Sequence, residues 1–81
     1  MSTTLLAVDD SVTMRKVLEI TFAGEDYRHL SASSGDAALE IVRRDKPDIV
    51  ILDISMPGAD GYAVCASIKA ANPRGFVVLL S

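Results

Sequence analysis

Asp9 and Asp10 follow directly on the run Leu5-Leu6-Ala7-Val8, and Asp53 follows on Ile49-Val50-Ile51-Leu52. Each run reads as a short strand buried on both faces, the usual situation in a parallel sheet. A carboxylate beside so much apolar surface is costly unless it sits at the strand's carboxyl end, open to solvent or to a cation. In open α/β sheets that edge is where ligands bind. Free aspartate titrates at about 3.9, so all three side chains are expected to be ionised at neutral pH. Adjacent strands lie about 4.8 Å apart, and carboxylates on neighbouring ends repel one another without a counter-ion. A hard divalent cation answers this need. Mg²⁺ prefers oxygen ligands and retains several waters, and the carbonyl of Ser55, two residues past Asp53, adds a further donor. Such a cation also neutralises an incoming phosphoryl group, letting one of the carboxylates act as nucleophile and form an acyl phosphate.

The elements that position these groups belong to one small domain, residues 1–81, with 49% hydrophobic but only 5% aromatic residues, so the core is aliphatic and thin. A formal net charge of −3 argues against a nucleic-acid surface. Arg43, Arg44 and Lys46 form the one local basic group, read as the solvated end of a helix. Neither a signal peptide nor an apolar run near the roughly 20 residues of a membrane span is visible, so a soluble, cytoplasmic protein without membrane contact is expected. Cys65 stands alone, which excludes an internal disulfide and reads as a small buried hydrophobe.

In chain order, Ser11 is placed to cap a first helix, on which Met14, Val17, Leu18, Thr21 and Phe22 share an apolar side opposite Arg15, Lys16 and Glu19. Gly24 is its expected C-terminal cap. Residues 27–32 form a weaker strand, interrupted by Arg28 and His29 and therefore placed at a sheet edge, with His29 on the surface. Ser33-Ser34-Gly35-Asp36 opens a second helix whose stripe is Ala37, Ala38, Ile41 and Val42, and Pro47 stops it. Asp60-Gly61 opens a third, with Val64, Cys65, Ile68 and Ala71 on one face. Phe76-Val77-Val78-Leu79-Leu80 is a last apolar run, expected to be buried. Alternating strands and helices with right-handed crossovers imply a parallel sheet covered on both faces.

Val8-Asp9-Asp10-Ser11, the apolar strand ending in Asp53, Met56-Pro57-Gly58 with Asp60-Gly61, and Leu79-Leu80-Ser81 together resemble the response-regulator receiver domain, the CheY-like phosphoacceptor of two-component signalling. The resemblance implies a flavodoxin-like sheet of strand order 2-1-3-4 and makes Asp53 the phosphoacceptor. It implies Mg²⁺ held by Asp10, Asp53 and the Ser55 carbonyl, with Asp9 assisting through water. Ser81 matches the Ser/Thr that closes onto the phosphoryl group and reports its arrival. The implied partner is a histidine kinase or phosphotransfer protein, docking near the first helix, where Thr13, Arg15 and Lys16 are candidate contacts.

The resemblance covers the N-terminal two thirds of such a domain, taken as about 120 residues. Family members continue with a helix, a fifth strand ending in an essential Lys, and a final helix. Lys69, on the third helix, does not match that Lys. The expectation is therefore a chain truncated after the fourth strand, or completed by something else, with a bare apolar edge that favours homo-oligomers. The alternative function is a receiver-like interaction module that is not phosphorylated. A dehalogenase-type phosphatase is disfavoured, because Asp9-Asp10-Ser11-Val12-Thr13 lacks the second Asp of an Asp-x-Asp-x-Thr arrangement.

Overall fold

The aliphatic runs form four strands: β1 (Thr3–Val8), β2 (Tyr27–Ala32), β3 (Ile49–Asp53) and β4 (Phe76–Leu80). Between them run α1 (Val12–Thr21), α2 (Gly35–Asp45) and α3 (Gly61–Ala71). This computed structural model describes residues 3–21, 26–56 and 60–80; the expected cap Gly24, the loop residues Pro57 and Gly58, and Ser81 lie outside the described residues. All strand pairs are parallel and the order is β2-β1-β3-β4, the flavodoxin-like arrangement expected.

Polar residues set the helix ends. The Ser11 hydroxyl accepts from Met14 N at 3.2 Å at the start of α1, and Ser34 caps α2 by accepting from Ala37 N at 3.2 Å. Asp60 Oδ1 takes the amides of Tyr62 and Ala63 at the start of α3. Lys46 ends α2 in the left-handed conformation, φ 45°, directly before the buried Pro47.

Handedness then assigns the faces. From β1 the chain steps one way to β2, and from β2 it steps back across β1 to β3 and on to β4. Right-handed crossovers therefore put α1 on one face and α2 with α3 on the other. On the α2/α3 face, Leu6, Val8, Val50 and Leu52 pack with Ala38 and Val42 of α2 and Ile68 of α3. The expected stripes of α2 and α3 are the ones that pack, Ala37, Ile41, Val64, Cys65 and Ala71 being partly buried against this core.

Three expectations need correction on the α1 face and the outer strand. Helix α1 buries no residue; Met14 and Val17 are exposed, and the half-buried positions are Leu18 and Arg15, the latter assigned to the polar side from sequence. His29 is half-buried rather than on the surface, with Nε2 shielded from solvent and without a hydrogen-bond partner. Strand β4 is not buried, since it pairs with β3 alone among the described residues and leaves Phe76 74% exposed, with Val78, Leu79 and Leu80 also open.

Two glycines mark close approaches of α2 and α3. A Cβ on Gly61 would lie 2.5 Å from Ile54 Cα, backbone that cannot yield, whereas one on Gly35 would meet a Val64 methyl at 2.9 Å. Gly61→Ala is therefore expected to cost about 2–3 kcal/mol in urea unfolding, and Gly35→Ala under ~1 kcal/mol, because a side-chain methyl shifts more cheaply than backbone.

Candidate functional site

Strand register brings the acids together. Val8 pairs with Leu52, so Asp9 and Asp53 leave neighbouring strands at the same edge, and Asp10 follows in the turn. One carboxylate oxygen each from Asp9, Asp10 and Asp53 lies within 4.8 Å of the others. Asp9 is buried, Asp53 half-buried and Asp10 exposed, so the cluster runs from the sheet's end out to solvent.

Main-chain bonds hold this edge past the ends of the strands. Asp9 N donates to Ala32 O at 3.1 Å, and Ile54 N donates to Leu80 O at 2.9 Å. Both loops then make the same tight turn. Ser11 N donates to Asp9 Oδ1 at 2.7 Å, and Ser55 N donates to Asp53 Oδ1 at 2.9 Å. The Ser55 hydroxyl also donates to Asp53 Oδ1, at 2.6 Å. The hydroxyl and then the amide of Ser55, bonding the ionised form, hold the Asp53 carboxyl below its ordinary value of 3.8.

No lysine or arginine forms an ion pair with Asp9, Asp10 or Asp53 among the described residues. Lys69 cannot reach them, because its Nζ donates to Gly75 O at 2.7 Å, at the opposite end of β4. Three hard oxygen donors without an ion-pair partner among the described residues fit a divalent ion such as Mg²⁺. Asp9 keeps one oxygen on the Ser11 amide.

Of the residues singled out from sequence, Asp9, Asp10 and Asp53 are brought together, while Ser81 lies outside the described residues. Ser55 meets Asp53 through its amide and hydroxyl, a contact the sequence reading missed in naming only its carbonyl. Two-residue Asp-x-Ser spacing is the signal that could have found it. Among the candidate docking residues, Thr13 and Lys16 are exposed, but Arg15 is half-buried with Nε shielded. Met56, next to the site loop, joins the core. A cavity of about 430 Å³, also not anticipated, opens beside Asp10 between Ser33 and Ser34 on one side and Val64 and Ser67 of α3 on the other.

Comparison with known proteins agrees with this geometry. The response regulator receiver domain family matches residues 5–81. A probable transcriptional regulator, ycf27, of Guillardia theta is 45% identical over 75 residues, which cover 93% of this chain and 30% of that protein. Response regulator PleD of Caulobacter vibrioides is 42% identical over 69 residues, 85% of this chain and 15% of that one. The chain thus spans about a third or less of these relatives' length. Among solved structures, the N-terminal domain of a response regulator receiver protein from Methanoculleus marisnigri JR1 superposes with a TM-score of 0.88 at 35% identity, covering 96% of this chain and 65% of that one. The parallel sheet, the acids at its carboxyl edge and a family match that spans nearly every residue make this chain a member of the response regulator receiver domain family.

Proposed function

We propose that this chain accepts a phosphoryl group on Asp53 from the phosphohistidine of a histidine kinase or phosphotransfer protein, in a Mg²⁺-dependent reaction. The observation that carries this reading is the gathering of three carboxylates at the ends of two adjacent parallel strands. An Asp53 oxygen lone pair forms the new O–P bond, the P–N bond breaks, and its electron pair leaves on the imidazole nitrogen. Asp10, Asp53 and the Ser55 carbonyl would hold Mg²⁺, with Asp9 acting through water; the bound ion supplies the positive charge that the incoming phosphoryl group and the carboxylates lack. Asp9, buried and tied by its amide to Ala32, fixes the inner wall of the site, and Asp10 faces solvent where the donor must arrive. Thr13 and Lys16, exposed on the first turns of α1, are contacts for that donor.

Incubation with Mg²⁺ and acetyl phosphate is expected to add one acid-stable, base-labile phosphoryl group by intact mass. Asp53→Asn abolishes it, and Asp45→Asn, on a surface ion pair with Arg28, retains it. No incorporation in the wild type would leave an interaction module that is not phosphorylated.

Mutual repulsion gives a second expectation. With magnesium chelated, Asp10→Asn raises stability by about 1 kcal/mol, a Tm rise of roughly 4–8 °C for a domain this small, after allowing for the exposure of Asp10. Differential scanning calorimetry should also show that added Mg²⁺ raises the Tm of the wild type and leaves that of the variant nearly unchanged.

Acid lowers stability through Asp53. Because its folded value lies below 3.8, the unfolded chain binds more protons as the pH drops; the contribution is present above about pH 4 and is lost as pH falls through the lowered value. Urea midpoints of Asp53→Asn should therefore fall less steeply than those of the wild type below about pH 4.

A further inference from the structure

We infer that the Ser55 hydroxyl gates Asp53: it occupies one carboxylate oxygen in the resting state and must swing away before that oxygen serves a cation or a phosphorus atom. This rests on Asp53 being the phosphoacceptor. A carboxylate oxygen offers two lone-pair positions, and Asp53 Oδ1 has both filled, by Ser55 N at 2.9 Å and Ser55 Oγ at 2.6 Å. A cation held by the Asp53 carboxylate and a bond from Asp53 to phosphorus would together draw on both of its oxygens. Oδ1 can do neither while it holds two donors.

The amide is not the donor that leaves, because the turn needs it. At the end of β1 the same Asp-x-Ser turn is closed by the Ser11 amide alone at 2.7 Å, and the Ser11 hydroxyl faces the other way to cap α1. An amide therefore suffices for the turn, and the second bond at Ser55 is an addition. Its donor is an exposed hydroxyl on one rotatable χ1, so release needs only a rotamer change. A hydroxyl on an ionised acceptor at this distance belongs to the stronger class of hydrogen bond, strong enough to bias the resting population. Ser55 is thus a positioning residue whose side chain opposes the step that its backbone supports.

Mg²⁺ affinity by isothermal titration calorimetry, together with the rate of phosphorylation by acetyl phosphate, tests this in the wild type, Ser55→Ala and Ser55→Thr, each first checked for folding by circular dichroism. Ser55→Ala is expected to bind Mg²⁺ about three- to tenfold more tightly and to be phosphorylated faster by a similar factor, with Ser55→Thr restoring wild-type values. Equal or weaker Mg²⁺ binding by Ser55→Ala, or a Ser55→Thr that behaves like the alanine variant, would overturn the gate while leaving Asp53 as the acceptor. A wild type that neither binds Mg²⁺ nor takes up phosphate would overturn both.

Discussion

Like charges held close together against their repulsion are the constraint around which this molecule is arranged. Three carboxylate oxygens lie within 4.8 Å of one another. At such a separation each pair of unit charges costs roughly 1 kcal/mol in water and about 3.5 kcal/mol at the effective dielectric of a protein surface. A flexible loop would relieve that strain by moving the side chains apart. Here relief is blocked because two of the acids extend adjacent, hydrogen-bonded strands whose register is set by buried Leu6, Val8, Val50 and Leu52. Hydrophobic burial along the strands thus offsets electrostatic cost at their ends, and a charge-seeking site results.

Local chemistry repeats at this edge with one difference. Asp9-Asp10-Ser11 and Asp53-Ile54-Ser55 make the same carboxylate-to-amide turn, which orients each aspartate by a main-chain donor. In the first turn the serine hydroxyl looks forward to a helix; in the second it looks back to the carboxylate. The difference follows from what comes next in the chain. Helix α1 begins one residue after Ser11 and needs an acceptor for its free amides, whereas α3 begins at Gly61 and takes its cap from Asp60, leaving the Ser55 hydroxyl uncommitted.

Much of this was legible because the strong signals are local. Apolar runs ending in acid marked β1 and β3, and Ser34, Asp60 and Pro47 marked helix ends through capping and ring geometry that depend on a few neighbours. The illegible parts depend on what lies across the sheet. Phe76 to Leu80 is as apolar as Ile49 to Leu52 and reads as equally buried, and only the expected strand order 2-1-3-4 marks it as the outer strand. On α1 the apolar residues wrap more than one side, so of the stripe that periodicity offered Met14 and Val17 are exposed and Leu18 is half-buried, together with Arg15 from the polar side. His29 looked like a surface residue on polarity, but on β2, paired with Leu5 of β1, it is half-buried with Nε2 shielded from solvent. The Ser55 hydroxyl contact is a choice among rotamers of one side chain, below the level that residue spacing encodes.

The two faces of the sheet also support the acids unequally. Asp53 is tied to the packed face: Ile54 lies against Gly61, Met56 enters the core, and the β3–β4 ladder continues past Asp53 to the bond from Ile54 N to Leu80 O. Asp10 leads instead into α1, which buries no residue and leaves Val12 and Ile20 71% and 66% exposed. Elements with few buried apolar contacts open at lower free energy than those in the core. Asp10 and the start of α1 are therefore the more weakly held part of the cluster, and Asp53 the more firmly held. The core holds Asp53, and the looser helix holds Asp10.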